Sequence, residues 1–495
     1  MIDCSVVKER VARKDLWGRI GSAQEAASLL QNGMLVAFGG YSSSGYPKAV
    51  AKALRQQQIS GEKKQFRILS GANNGPLDSL LAEADLISWR APMIESKSLA
   101  KKVNAGRVDY LEQQMSRMPR LLAQERFGQI DVAVVEVLGI TQDSMIIPTS
   151  SVGVTPLLLE KARRVIREIN LAQPETLWGM HDIYLPGCSP VPMTGLLDRI
   201  GHPSIPIAPE KILRIVPSEE LDEYTLPKTG DIVMERITDH LLNFLELEYP
   251  GRELPPLQTG FGNMANEIAN GLERSNFSGL SFLCGGMQAG NMRLLAQGKV
   301  SAATAGAIQM TPEVITLLRK EPELFRKRLV LRNAELTNGA EIVSRMGILA
   351  LNSGLETDIY GNVNSSHLLG TKVVNGIGGG AGFAENAALS ILLLPAEGKH
   401  GAISHVVPMV PHQDIGEHDV DVIITENGVA DLRKLDDVHR AQQVIECCTA
   451  GCYRDMLRDY FSRACRTGGH HPQLLEEAFS WHLRFQKTGT MRNVE

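Results

Sequence analysis

The chain has 495 residues, 43% of them hydrophobic and 22% charged, with a net charge of −5 at pH 7. A chain of that length exceeds what one hydrophobic core serves, so two or more domains are expected. The mildly acidic balance leaves no electrostatic footprint for nucleic acid, and no apolar run approaches the roughly 20 residues of a membrane-spanning helix. Met1-Ile2-Asp3-Cys4 lacks the basic-then-apolar pattern of a signal peptide. Seven cysteines in a chain this long make no disulfide framework and fit a reducing, cytoplasmic setting.

In chain order, residues 22–33 read as a helix closed by Gly33, and residues 34–38 as a buried strand. The strand runs into Gly39-Gly40-Tyr41-Ser42-Ser43-Ser44-Gly45-Tyr46-Pro47, with Pro47 suited to the first turn of the next helix. Glycines and hydroxyls ahead of a helix start predict either an anion or carboxylate site or a plain strand-to-helix turn. Residues 67–72 repeat the strand-then-glycine pattern, and Arg90 in Ser88-Trp89-Arg90-Ala91-Pro92 reads as a structural ion pair beside a packing Trp89. Residues 131–137 are apolar nearly throughout, as in a strand covered on both faces. Residues 163–170 alternate and are placed near a sheet edge. His181 and His202 stand alone and read as structural.

The pattern changes near 209–256. A strand at 211–216 gives way to an acidic irregular stretch, a long amphipathic helix at 231–249, and the breaker Gly251-Arg252-Glu253-Leu254-Pro255-Pro256. We therefore divide the chain into an N-terminal α/β domain (1–220), a junction helix and linker (221–256) and a C-terminal α/β domain (257–495).

Residues 257–290 carry the most information. The Gly-rich turn Thr259-Gly260-Phe261-Gly262-Asn263 opens a helix, a short apolar strand runs from 280 to 284, and Gly285-Gly286 leads into a second helix ending at Gly298. Strand, glycine turn, helix is how α/β enzymes present backbone N–H groups to an anionic ligand. The densest glycine run is Asn375-Gly376-Ile377-Gly378-Gly379-Gly380-Ala381-Gly382-Phe383. Gly376, Gly378 and Ala381 satisfy the dinucleotide spacing, but that signal alone is weak. The strand at 389–394 follows too soon for a Rossmann helix. Near the C-terminus Cys447, Cys448, Cys452, Cys465, His470 and His471 cluster without a C-x2-C pair, so free thiols on helices are expected rather than a metal site.

Together these segments resemble the acetyl-CoA hydrolase/transferase group of class I CoA-transferases. The resemblance rests on residues 38–49, Ser88-Trp89-Arg90-Ala91-Pro92, the Gly260-Phe261-Gly262-Asn263 loop and Asp358-Ile359-Tyr360-Gly361-Asn362-Val363-Asn364. It also rests on Asn375-Gly376-Ile377-Gly378-Gly379, and it runs from about residue 17 to about 490. It implies two similar open α/β domains with mostly parallel sheets facing one central cleft, commonly dimeric. It implies acyl-CoA and a small carboxylate as substrates, and no permanently bound cofactor or metal.

By the same resemblance, Phe261 and Gly379 supply N–H groups to an oxyanion. Gln258, Thr259, Gly260, Phe261, Asn375, Gly378, Gly379 and Lys399 meet CoA. Asn338 faces the reacting acyl group, and Glu426 orients it. The family's nucleophilic glutamate, which forms a glutamyl-CoA ester, falls on Gly285 when counted back from Gly298-Lys299-Val300. A glycine closes that covalent route. Cys284, pointing the opposite way along the strand, is expected in the core. The expected activity is CoA transfer without an enzyme ester. The alternatives are acyl-CoA hydrolysis with Glu426 as base, transfer on a carrier-protein thioester as in the citrate lyase α-subunit, and non-catalytic acyl-CoA binding.

Overall fold

The structure is a computed structural model and describes residues 4–493 apart from 73, 188–189, 225–229 and 252. Contacts divide the chain into two compact units. The first holds 1–226, 279–346 and 374–379, and the second holds 227–278, 347–373 and 380–495. This departs from the contiguous halves drawn at 220 and 256. Strand pairing is the reason. Leu329–Arg332 runs parallel to His181–Asp182, Ser151 bridges Ala307 and Gly153 bridges Asn333. A stretch late in the sequence is thereby knitted to the early one.

Both units are α/β with mostly parallel sheets. In the first unit, strands Asp109–Tyr110, Ile87–Ala91, Phe66–Ser70, Leu35–Phe38, Val132–Ile140, Arg164–Asn170 and Ile212–Ser218 lie side by side in that order. All six pairings between them are parallel. Every residue of Val132–Ile140 is buried, the signature of a strand covered on both faces. A second parallel run in the same unit joins Leu280–Cys284, Val300–Ala305, Leu329–Arg332 and His181–Asp182. In the second unit Leu257–Thr259, Leu349–Asn352, Leu389–Leu393 and Val422–Thr425 pair in parallel, and Gly428–Asp431 turns back antiparallel. Among the described residues no helix is long and apolar enough to cross a membrane.

The 163–170 segment lies near a sheet edge, next to the edge strand Ile212–Ser218, and is paired on both sides. Its alternation reflects buried charges rather than a wet face, since Arg167 and Glu168 are fully buried. One expectation changes: the helix start after Pro47 is not an open anion site. Glu168 already fills it, its carboxylate accepting the N–H groups of Lys48, Ala49 and Val50 at 2.9, 3.0 and 3.1 Å. A carboxylate at a helix N-terminus satisfies donors that would otherwise be orphaned and complements the helix dipole. Arg90 behaves as expected, pairing with the buried Asp78 at 2.7 Å. Trp89 packs edge-on against Phe127.

Three further charges are buried behind the 39–48 loop. Lys48 Nζ lies 2.5 Å from Glu136 and 2.6 Å from Asp222. Thr149 Oγ1 and Asn170 Nδ2 donate to Glu136 at 2.9 and 2.7 Å. Burial pushes the Glu136 carboxyl up to about 7 even with Lys48 opposing. Burial works against the Lys48 charge too, but Asp222 and Glu136 outweigh it. Removing one partner of a buried ionic cluster costs about 3–5 kcal/mol, because the remaining charge loses its compensation. Lys48→Met is therefore expected to lower the unfolding free energy by about that amount, read from denaturant midpoints.

His181 is buried and bonds the Thr149 carbonyl through Nε2 at 2.8 Å. Burial pushes its pKa from 6.5 down to about 4. Between those values the unfolded chain binds the proton and the folded chain does not. Stability therefore falls as pH drops through that window, by about 2 kcal/mol at pH 5. His181→Gln should lose that share of the acid limb when denaturant midpoints at pH 7 and pH 5 are compared with wild type.

Candidate active site

In the first unit the predicted reacting region is built from the carboxyl ends of parallel strands, where open α/β sheets place their ligands. Leu35–Phe38 ends in the Gly39–Gly40–Tyr41 turn, Leu280–Cys284 in Gly285, and Val300–Ala305 in Gly306. Leu329–Arg332 leads through the short helix Ala334–Thr337 to Asn338.

These ends meet closely. A Cβ added at Gly285 would run into the Tyr41 hydroxyl, and would lie 3.1 Å from Tyr41 Cζ and 3.4 Å from Asn338 Nδ2. The room beside the Gly285 Cα is thus filled by Tyr41. The Gly285 carbonyl accepts from Gly306 N at 3.0 Å. A Cβ on Gly306 would stand 2.7 Å from that same oxygen. Asn338 is 3% exposed. Its Oδ1 accepts from Thr337 Oγ1 at 2.9 Å, which turns Nδ2 towards Gly285. Nδ2 leans on the Tyr41 oxygen but has no acceptor in hydrogen-bonding geometry. Burial pushes the Tyr41 hydroxyl up to about 12, so it is protonated near neutrality. Cys284 is fully buried, as are its strand neighbours Phe282 and Leu283.

The 375–379 loop also belongs to the first unit. Gly376 N donates to the Ile94 carbonyl at 2.7 Å, and a Cβ there would meet Met93 Cβ at 2.5 Å. Ile377 N donates to Glu112 Oε1 at 2.8 Å and Gly378 N to Met93 Sδ at 3.1 Å. Three successive donors are therefore consumed in anchoring the loop. Gly378 takes a left-handed φ of +66°, and the next N–H, that of Gly379, has no hydrogen-bond partner among the described residues. Asn375 is exposed. The helix that follows, Gly380–Asn386, has 7 residues, too short for a dinucleotide-binding unit.

In the second unit, Leu257–Thr259 ends at Gly260, and the Asn263–Arg274 helix starts after Gly262, whose φ is +112°. Between them the Phe261 N–H has no hydrogen-bond partner among the described residues. Gln258 is 3% exposed and Thr259 2%, and Gln258 Oε1 is buried without a partner. Glu426, half-buried at the end of Val422–Thr425, accepts from Ala396 N at 2.8 Å. Lys399 sits exposed at the tip of the Glu397–Gly398 and Ile403–Ser404 hairpin. Its ammonium is 4.9 Å from the Phe485 ring centre.

The C-terminal cysteines and histidines do not converge. Cys448 is buried and Cys452 and Cys465 are exposed. His471 pairs instead with Asp437 at 2.8 Å and stacks on Tyr360 at 3.5 Å. Among the described residues the one group of three potential ligands is Glu417, Asp437 and His471. Sequence reasoning missed Tyr41. A tyrosine in a Gly/Ser-rich turn reads as packing until the strand ends are brought together.

Known proteins resemble this chain along its length. The acetyl-CoA hydrolase/transferase N-terminal domain matches residues 5–217, and the corresponding C-terminal domain matches residues 323–461. The succinyl-CoA:acetate CoA-transferase of Clostridium kluyveri is 39% identical, covering 98% of this chain and 93% of its own. The propanoyl-CoA:succinate CoA transferase of Escherichia coli is 36% identical, covering 96% and 99%. The acetyl-CoA hydrolase of Candida glabrata is 33% identical, covering 98% of each. Among solved structures, RipA from Yersinia pestis shares the fold with a TM-score of 0.73 at 18% identity, covering 94% of this chain and all of its own.

The contact between Gly306 and the Gly285 carbonyl tests the tightness of this region, because both partners are backbone. Gly306→Ala is expected to cost about 1–3 kcal/mol in unfolding free energy through overpacking, read from denaturant midpoints. An unchanged midpoint would mean that the strand ends are looser than described.

Proposed function

The chain belongs to the acetyl-CoA hydrolase/transferase family, and we propose that it exchanges CoA between an acyl-CoA thioester and a small carboxylic acid without a glutamyl-CoA intermediate. The observation that carries this reading is Gly285. It has no side chain to attack a thioester, and Tyr41 occupies the room one would need.

The acceptor must then do the attacking itself. One oxygen of the acceptor carboxylate adds to the thioester carbonyl carbon, and the oxyanion collapses with departure of CoA thiolate, leaving a mixed anhydride. The thiolate then adds to the acceptor's acyl carbon. The donor acid leaves as its carboxylate, and the new thioester is released. No proton or electron is gained or lost overall.

Each addition develops negative charge on a carbonyl oxygen, which preorganised N–H donors stabilise best. For the first unit we assign Gly379 N–H to that role, Asn375 and Gly378 to CoA contact, and the Asn338 amide to the reacting acyl group. For the second unit we assign Phe261 N–H to an oxyanion, and Gln258, Thr259, Gly260 and Lys399 to CoA contact. The unpartnered Gly379 and Phe261 N–H groups and the unpartnered Gln258 Oε1 and Asn338 Nδ2 support these roles.

A second reading is hydrolysis. The named activity of the Candida glabrata relative favours it, and water takes the acceptor's place with Glu426 as its base.

The test is turnover of a panel of acyl-CoAs with and without acetate and succinate, followed by hydroxylamine treatment of the protein. Direct transfer predicts acceptor-dependent exchange, sequential rather than ping-pong kinetics, and no hydroxylamine-sensitive CoA ester on the chain. CoA release that ignores the acceptor would establish hydrolysis instead. An enzyme-bound CoA ester would sink the direct route.

A further inference from the structure

We propose that the Tyr41 hydroxyl, which fills the room beside Gly285, and the Asn338 amide, assigned above to the reacting acyl group, together form the seat of the acceptor carboxylate, whose own acyl group reacts in the second half of the transfer. The inference rests on the transfer reading and names the group that holds the attacking acid.

The first support is steric. The Tyr41 ring is held on two sides by glycines. At Gly285 a Cβ would run into the hydroxyl, and at Gly153, whose φ is +48°, a Cβ would lie 3.1 Å from the ring's Cδ2. The turn that carries the ring is closed by reciprocal bonds, Tyr41 N to Ser44 O and Ser44 N to Tyr41 O, both 3.0 Å. It also includes Ser42 at a φ of +52°, a left-handed conformation uncommon for a non-glycine residue. Tyr41 is 6% exposed, so the hydroxyl is positioned by its surroundings and not by its own freedom.

The second support is an unpartnered donor. Asn338 is 3% exposed, its oxygen end is taken by Thr337, and its buried Nδ2 has the Tyr41 oxygen beside it but no acceptor in hydrogen-bonding geometry. An unmade bond on a buried amide costs free energy unless something arrives to accept it. Its neighbour, the Tyr41 hydroxyl, is also a donor, held protonated by burial. Two neutral donors at one spot call for an acceptor-only group, and a carboxylate oxygen is the best such group among small metabolites. Neutral donors have a further consequence for the reaction. They hold one carboxylate oxygen while leaving its negative charge unneutralised, and the other oxygen stays available for attack. Tyr41 keeps its proton throughout.

The experiment measures acetate and succinate binding to the full chain by ligand-observed NMR, alongside the KM for acceptor and for acyl-CoA. It uses wild type, Tyr41→Phe and Gly285→Ala. Loss of one bond to a charged acceptor should weaken carboxylate binding about 10-fold or more in Tyr41→Phe and raise the acceptor KM in step. The KM for acyl-CoA should hold. Gly285→Ala should do the same by displacing the hydroxyl.

The second arm restores the nucleophile. Gly285→Glu alone should form no hydroxylamine-sensitive CoA ester, whereas Gly285→Glu with Tyr41→Ala should form one. Carboxylate binding that ignores Tyr41→Phe, or an ester in the single variant equal to that in the double, overturns the proposal. So does absence of acetate and succinate binding to wild type, a result that needs no variant to fold. Failure of the transfer reading shows separately, as wild-type turnover that ignores the acceptor while binding still responds to Tyr41.

Discussion

The buried contact of Lys48 with Glu136 and Asp222 is the constraint on which the first unit's proposed reacting region depends. An ion taken out of water carries a desolvation cost of several kcal/mol, which its partners offset only when geometry and additional hydrogen bonds are good. Here both distances are short, and Thr149, Asn170 and Gln173 complete the Glu136 shell. Glu168 caps the backbone of the same residue, Lys48, from the neighbouring strand. The carboxyl end of the 39–48 turn is therefore held by side chains from strands Val132–Ile140 and Arg164–Asn170. With that end fixed and the Tyr41–Ser44 bonds closing the other, the tyrosine ring has one place to go.

The glycines around it complete the arrangement, through lack of volume more than through flexibility. Gly285 and Gly306 have no positive φ. Each is a glycine because a Cβ would overlap a neighbour, the Tyr41 hydroxyl in one case and the Gly285 carbonyl in the other. Interiors are packed densely enough that a single methyl group cannot be absorbed without displacement. The same packing explains why the residue at 285 and the residue at 41 are best understood as a pair. A larger group at 285 needs a smaller one at 41.

Periodicity and glycine placement made much of this legible. The Leu280–Cys284 and Val422–Thr425 strands lie where the apolar runs predict them, and the short Gly380–Asn386 helix bears out the doubt over a dinucleotide fold. What escaped reading depended on contacts distant in sequence. Arg167 and Glu168 make a buried interior strand look amphipathic, because the helix N-terminus at Lys48, 120 residues away, whose backbone N–H groups receive the Glu168 carboxylate, is invisible in a local window. The grouping of 279–346 with the N-terminal segment was hidden for the same reason: strand pairing between His181–Asp182 and Leu329–Arg332 leaves no local signature. Tyr41 was hidden because its meaning comes from what it touches, not from its own neighbours in sequence.

In the proposed direct transfer, a seat for the substrate's own carboxylate stands in place of a covalent nucleophile, and this changes where the catalytic advantage has to come from. A glutamate side chain is already tethered, and its entropy was lost on folding. A free acid must be captured at each turnover, and effective molarity is recovered only if the captured acid is held in near-attack geometry. Two neutral donors on rigid strand ends suit that task. They fix position without forming the strong ion pair that would hold the acid in its ground state, and uniform binding of that kind does not accelerate chemistry. In that proposal the stabilisation of the developing oxyanion falls to backbone N–H groups, and the proposed donor on Gly379 keeps its alignment because its loop is anchored by the three preceding residues.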